Sequence, residues 1–183
     1  MAFKGTATRS SLQIAEAIED VGGYINAYTS REVTAYYVRV LENDVSLGLD
    51  VIADILRNPV LDNGEIEVER GVILQEIGQA LDTPDDVIFD WLQEKAYPNQ
   101  PIGRTILGPS ERVSNFSRED LSGFISQHYG PDQMILAAAG AVDHATAGAI
   151  PKSPMPGRVI SSAVVGKRRS AAVFATCRSG VST

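Results

Sequence analysis

The chain has 183 residues, of which 44% are hydrophobic, and it carries a formal net charge of −7 at pH 7. This length is enough for one hydrophobic core, and the acidic balance argues against nucleic-acid binding, which requires a basic surface. No run of about 18 apolar residues occurs, so we expect no membrane span. One cysteine and two histidines exclude an intrachain disulfide and make a self-contained histidine-rich metal site unlikely from the sequence.

The first forty residues predict a helix followed by a β-hairpin. Ser10 and Gln13 have the spacing of a capping box, and apolar residues then recur at helical spacing up to Gly22. Residues 24–30 and 33–40 are rich in β-branched and aromatic side chains. A short polar turn separates them, so we predict two paired strands.

The middle of the chain predicts three helices with recognisable ends. Asn43 or Asp44 can cap the first, which stops at Pro59, and Pro84 begins the third. The three predicted helices occupy about residues 44–58, 63–81 and 84–96.

The last patterned segments are a loop, a helix and a strand. Residues 97–116 contain several prolines and glycines and predict a loop, a helix follows from Ser117 to His128, and residues 134–140 predict a buried strand. Helices combined with a hairpin and few further strands indicate an α+β fold. We therefore expect an antiparallel sheet with helices packed on one face.

Residues 150–183 differ in composition from the rest of the chain. They hold six basic residues and no acidic one, a balance of +6, whereas residues 1–149 have a balance of −13. Periodic patterning also stops near residue 149. Two explanations stay open, a shifted reading frame, which we favour, and a disordered basic tail. We assign residues 1–149 to one partial domain and residues 150–183 to a separate tail, and we assign no fold or function to residues 151–183.

Two carboxylates stand out in the long helix predicted for residues 63–81. Glu69 and Glu76 are seven residues apart, which is two helical turns, so both side chains lie on nearly the same face. Such a pair can bind a metal ion or support one, but by spacing alone it is more typical of an ordinary solvated face.

Five segments carry a resemblance to a known family, in that family's order and spacing. They are MAFKGT at 1–6, NAYTSRE at 26–32, ERGVILQE at 69–76, GRTILGP at 103–109 and LAAAG at 136–140. The chain up to about residue 149 resembles the pitrilysin/insulinase family of zinc metallopeptidases, in particular the branch of the processing-peptidase β-subunits and their bacterial homologues. The resemblance implies a processing-peptidase-like domain and a peptide-cleaving activity.

The resemblance also implies roles for the two glutamates. In the family, two histidines of a His-x-x-Glu-His helix bind zinc and the glutamate between them activates the attacking water. Glu76 matches the third zinc ligand, and Glu69 matches an additional acidic residue that supports the site. The family's motif directly precedes the segment matching Met1. We therefore expect the motif upstream in the parent protein, and an inactive, truncated N-terminal catalytic domain in this chain alone.

A substrate-binding strand is implied as well. In the family, the strand that matches Asn26, Ala27, Tyr28 and Thr29 is an edge strand that pairs with extended substrate. The expected partners are a peptide substrate and a second homologous domain or subunit. The expected location is the cytoplasm of a bacterium, or the mitochondrial matrix if the source is eukaryotic.

Two other classes of function compete with an enzyme fragment. The family includes non-catalytic members, such as core subunits of the respiratory bc1 complex, whose metal motif is degraded. A chain that keeps both Glu69 and Glu76 fits active ancestry better than a retired site. The second alternative is a peptide-binding module that uses the 26–30 edge without catalysis.

Overall fold

A computed structural model describes residues 1–130, 133–142, 158–159 and 170–178, and its elements follow the predicted order through residue 140. The helices and strands are α1 (Ser11–Glu19), β1 (Tyr24–Thr29), β2 (Val33–Leu41), α2 (Val45–Arg57), α3 (Asn63–Leu81), α4 (Pro84–Ala96), α5 (Ser110–Asn115), α6 (Arg118–His128), β3 (Met134–Gly140), β4 (Arg158–Val159) and β5 (Ser170–Arg178).

The five strands in the described residues form one sheet in the order β1-β2-β5-β3-β4. Every pair is antiparallel except β3 with the two-residue β4, which is parallel. The predicted hairpin is present, with Tyr24 opposite Arg39 and Thr29 opposite Thr34. The predicted fold class, an antiparallel sheet with helices on one face, is confirmed.

Strand β5 lies within residues 151–183, the segment to which the sequence analysis assigned no fold. It lies inside the sheet, where Val173 pairs with both Val38 of β2 and Ala138 of β3. Val173 is fully buried. The sequence pattern missed this strand because a central strand is specified by its two neighbours more than by its own periodicity. Its family membership and reading frame stay predictions, and residues 160–169 and 179–183 lie outside the described part.

Helices α1 and α2 cover one face of the sheet and form the hydrophobic core with it. The largest fully buried side chains come from both helices and from β2 and β5, and they are Ile14, Ile18, Val38, Val51, Ile52, Ile55 and Val173. Gly48 allows α2 to approach the sheet closely, because a Cβ there would lie 2.9 Å from Cγ1 of Val38.

The helix beginnings follow the sequence, with one difference. Ser10 with Gln13 forms a complete capping box, as predicted, and Ser117 with Asp120 forms a second one. Asp44 is the N-cap residue of α2, but its side chain makes no capping hydrogen bond, because a short 3-10 turn at Glu42–Asp44 leads into the helix instead.

The segment 97–116, predicted as a loop, contains more regular structure than expected. It includes a 3-10 turn at Pro101–Gly103 and the short helix α5. Arg70 of α3 stabilises α5 through its guanidinium, which donates to the backbone carbonyls of Val113 and Phe116. These contacts join residues more than forty positions apart, so local sequence patterns cannot predict them.

In the described part of the chain, no helix is long and apolar enough to cross a membrane.

Candidate metal centre and peptide-binding edge

Helix α3 carries both predicted metal-site carboxylates. Glu69 and Glu76 are seven positions apart on the helix, which corresponds to about 10 Å along its axis. The Glu69 side chain is 25% exposed and Glu76 is exposed. The two side chains lie on nearly the same face of α3, two turns apart, as the spacing predicts.

Glu69 is held by a lysine from the N-terminal turn. The ammonium of Lys4 lies 3.1 Å from a carboxylate oxygen of Glu69 and 3.5 Å from one of Glu65. The hydrogen bond and charge of Glu69, followed by the weaker contribution of Glu65, raise the pKa of Lys4 above its ordinary value of 10.5. This lysine joins the 3-10 turn Ala2–Lys4 to α3, so the segment after Met1 lies against the helix that carries Glu76.

The described residues do not complete a zinc site on their own. A catalytic zinc ion requires three protein ligands. Within the described ranges, no three His, Cys, Asp or Glu side chains are grouped closely enough to hold a metal ion. The two histidines do not help, because His128 ends α6, where its ring packs on Phe124, and His144 lies outside the described residues. Glu76 could serve as one ligand among others.

The predicted substrate strand, β1, is an edge of the sheet. It pairs with β2 and stands first in the strand order. The Ser30 N–H donates to the Val33 carbonyl at 2.7 Å and closes the hairpin. Because bonded and non-bonded pairs alternate along an antiparallel ladder, the even-numbered residues of β1 direct their backbone groups to β2. The odd-numbered residues direct theirs to the open side, and these are Ile25, Ala27 and Thr29.

Asn26 satisfies one of these edge groups itself. Its Oδ1 accepts from the Ala27 N–H at 2.8 Å, and its Nδ2 donates to the Tyr24 hydroxyl at 2.7 Å. The residues named from the family resemblance, Asn26 to Thr29, therefore lie together on the exposed edge. An incoming backbone carbonyl would replace Asn26 Oδ1 as the acceptor for the Ala27 N–H.

A buried carboxylate that the sequence reading missed fixes the N-terminal segment. Asp54 of α2 is only 6% exposed. It accepts from the hydroxyls of Thr6 and Thr8, both at 2.7 Å, from Arg9 at 2.8 Å and from Asn58 at 2.9 Å. Burial alone would raise the pKa of Asp54, but these hydrogen bonds outweigh it and lower the pKa to about 2. The sequence did contain a sign of this buried carboxylate, because Asp54 occupies a position of α2 where the helical pattern places apolar residues.

A second missed residue, Arg31, ties the hairpin turn to α4. Its guanidinium donates to Asp90 at 2.6 Å and to the backbone carbonyl of Arg104 at 2.5 Å. The loop that contains Arg104 is therefore attached to α4 through the Arg31 side chain and the Arg104 backbone carbonyl.

Comparison with known proteins places this fold and these motifs in one family. The family model described as Insulinase (Peptidase family M16) matches residues 1–110. The mitochondrial-processing peptidase subunit beta of Saccharomyces cerevisiae is 45% identical over 164 residues, covering 85% of this chain and 36% of that protein. An uncharacterized zinc protease of Rickettsia felis is 45% identical over 144 residues, covering 79% of this chain and 35% of that protein.

The fold has a relative among solved structures as well. A protease from Helicobacter pylori matches with a TM-score of 0.65 and 24% identity, covering 68% of this chain and 30% of that one. The chain thus spans about a third of the length of the relatives it matches. With more than half of its residues matched by the family model, the chain belongs to the insulinase family of peptidases.

Proposed function

We propose that this chain is part of a zinc-dependent metalloendopeptidase that cleaves peptides or presequences. In this proposal Glu76 is a zinc ligand, Glu69 supports the site, and the β1 edge from Asn26 to Thr29 binds the substrate backbone. Family membership combined with retention of both glutamates is the observation that carries the proposal. The chain as given is proposed to be inactive alone, because the described residues supply too few ligands.

The neighbourhood of α3 supports the assignment of the two glutamates. Lys4 neutralises part of the charge of Glu69 and restrains its side chain. This fits a residue that supports the metal site without binding the ion itself. Glu76 is exposed, which leaves its carboxylate accessible to an ion. The Lys4 contact also brings the chain next to Met1 onto the same helix, and the family's histidine motif directly precedes that position.

The hairpin supports the assignment of the substrate strand. An edge strand with outward N–H and C=O groups accepts an extended peptide as an added strand. At β1 these groups belong to Ile25, Ala27 and Thr29, and Ala27 is small enough to leave the approach open. Main-chain pairing of this kind binds many sequences, which suits a processing peptidase.

The metal assignment is tested by zinc content. In a protein where a segment carrying the family's His-x-x-Glu-His motif precedes Met1, we expect about one zinc per chain by elemental analysis. Glu76→Gln should remove the metal, because it deletes a ligand. Glu69→Gln should retain zinc but weaken its affinity by about 10- to 100-fold, as is typical of residues that support ligands.

Glu94→Gln is the matched control, because Glu94 is an exposed glutamate on α4 outside the candidate site. It should leave zinc content and chelator-sensitive peptidase activity unchanged. Full zinc occupancy in Glu76→Gln, or equal losses in Glu76→Gln and Glu94→Gln, would refute the ligand assignment.

The proposed partners follow from the same assignment. They are a peptide substrate and a second homologous domain or subunit, in keeping with relatives named as beta subunits of a processing peptidase. We place the protein in the bacterial cytoplasm, or in the mitochondrial matrix if its source is eukaryotic. Relatives of both kinds exist, a mitochondrial-processing peptidase subunit and a Rickettsia protein.

One observation favours a second candidate, a peptide-binding module without catalysis. The open β1 edge is formed by the hairpin itself and needs no metal. Peptide binding that survives a chelator but is lost when proline replaces Ala27 would support this alternative, because proline removes the outward N–H. Binding that requires zinc would exclude it.

A further inference from the structure

The side chains of β1 divide between two faces of the sheet. Successive strand residues point to opposite faces. Ile25 packs against the hydrophobic core beneath α1 and α2, so Tyr24, Asn26 and Tyr28 project from the other face. Tyr24 and Tyr28 are 50% and 53% exposed. Two aromatic rings therefore stand beside the open edge, one on each side of the smaller Asn26.

These rings belong to an aromatic cluster that crosses three strands. The Tyr37 ring of β2 lies between them, with centroids 6.0 Å from Tyr24 and 6.4 Å from Tyr28. Tyr37 also stacks on Phe174 of β5, with centroids 5.7 Å apart and planes inclined by 24°. We name Tyr24, Tyr28, Tyr37 and Phe174 the tyrosine face. Mutual packing fixes its rings, so it is pre-organised to receive another apolar group.

A strand added beside β1 would extend this face. Every second side chain of the added strand would lie on it, with directly opposite Cβ atoms about 4.5–5.5 Å apart and diagonal neighbours about 7–8 Å apart. A side chain opposite Asn26 would have both tyrosine rings as diagonal neighbours. The Asn26 amide donates to the Tyr24 hydroxyl and accepts from the Ala27 N–H, and these two hydrogen bonds fix its position.

The charge near the tyrosine face indicates which peptide side chains it would bind. Arg39 pairs with Tyr24 across the hairpin and is exposed, which disfavours another cation nearby. Aromatic rings add packing energy for aromatic and large aliphatic groups beyond simple burial. We propose that the tyrosine face is a side-chain subsite, a proposal that rests on the proposed peptide-binding edge. It binds aromatic or large aliphatic residues at every second position of an extended peptide paired with β1.

Calorimetric binding of synthetic peptides to the 183-residue chain tests this subsite. The host is a threonine-rich peptide with no aromatic residue, compared with peptides carrying one phenylalanine, two adjacent ones, or two separated by one residue. Separated phenylalanines share a face of a strand whereas adjacent ones do not. We expect the separated pair to bind about tenfold more tightly than the adjacent pair. This comparison holds even if the peptide slides along β1.

Variants of Tyr28 locate the effect. Tyr28→Thr keeps a strand-forming residue, removes one ring and should reduce the ratio of the affinities for the separated and the adjacent pair to about one. Tyr28→Phe should retain the preference. Tyr97→Thr is the matched control, because Tyr97 is a half-exposed tyrosine at the end of α4, outside the sheet.

Each contrary outcome has a distinct meaning. If all peptides bind equally, the subsite is overturned while the peptide-binding edge stands. If none binds, both the subsite and the edge assignment fail. If the chain forms a concentration-dependent dimer in sedimentation that Ala27→Pro abolishes, and peptides compete regardless of phenylalanine, then a second copy occupies the edge and the subsite is again overturned.

Discussion

Two regions of this molecule are held together in different ways. The sheet unit, comprising β1–β5 with α1 and α2, contains all of the largest fully buried side chains. In the helical arm, α3–α6, only Ile66, Ile77, Val87 and Val113 are buried apolar residues among those described. Many large apolar side chains of α3 and α4 are exposed, namely Val68, Val72, Leu81, Ile88, Phe89, Trp91 and Leu92.

Polar contacts position the arm instead. Arg31 reaches Asp90 of α4, Arg70 reaches the carbonyls around α5, and Arg118 of α6 donates to the carbonyls of Val60 and Leu61. Apolar packing therefore gives the sheet unit its stability, whereas directed hydrogen bonds set the geometry of the helix that carries Glu69 and Glu76. Substitutions in the sheet unit should therefore affect the free energy of unfolding, whereas substitutions in the helical arm should act locally.

The most destabilising substitution should lie in the core of the sheet unit. Ile52→Ala should lower the free energy of unfolding by about 2–5 kcal/mol, because it leaves a cavity at a fully buried position. The matched change in the arm, Leu92→Ala at a 64% exposed position, should cost less than about 0.5 kcal/mol. Urea unfolding measures both. Equal losses at the two sites would remove the distinction between the regions.

The next effect depends on pH and concerns Asp54. Its pKa in the folded state, about 2, lies below the ordinary value of 3.8. The carboxylate therefore stabilises the fold above about pH 4, by roughly 2 kcal/mol, and this contribution is lost as the pH falls from about 4 to about 2. We expect Asp54→Asn to be less stable than the wild type at pH 6 in urea unfolding, and the difference to shrink as the pH approaches 2.

Asp50→Asn is the control for this prediction. Asp50 also binds Arg9, at 2.5 Å, but its side chain is 47% exposed and lacks the threonine hydroxyls. Its effect on stability should be much smaller. A difference between Asp54→Asn and the wild type that persists unchanged to low pH would contradict the assigned ionisation.

In the helical arm, Arg70→Met should act locally. It leaves the carbonyls of Val113 and Phe116 without their charged donor, which costs about 1–3 kcal/mol. We expect faster amide hydrogen exchange in α5 and little change in β2 or β5. Glu67→Gln, which removes only the neighbouring ion pair of Arg70, is the control and should leave α5 protected. Loosening of the whole sheet by Arg70→Met would show that the arm and the sheet unit are one cooperative block.

The smallest expected effect is electrostatic and concerns Lys4. Glu69→Gln should move the pKa of Lys4 down towards 10.5, because Glu69 is the main cause of its elevation. NMR titration of the lysine side chain measures this directly. Glu76→Gln should leave the Lys4 pKa where it is, since Glu76 does not contact Lys4. A shift of equal size in both variants would mean that the lysine senses the overall charge of α3.

Much of both the sheet unit and the helical arm was predictable because the signals are local. The capping boxes at Ser10 and Ser117, the proline beginning α4 and the β-branched hairpin strands all gave the observed elements. Strand β5 and helix α5 were not predicted, since each depends on distant partners, the neighbouring strands in one case and Arg70 in the other.

The candidate site divides along the same line. The shared helical face of Glu69 and Glu76 and the strand at residues 26–29 could be predicted from the sequence, because helical and strand periodicities are properties of the local backbone. The contact of Lys4 with Glu69 and the aromatic face of three tyrosines and Phe174 could not be predicted in this way. These features join residues from separate elements, and contacts between distant segments form only when the sheet and helices pack together.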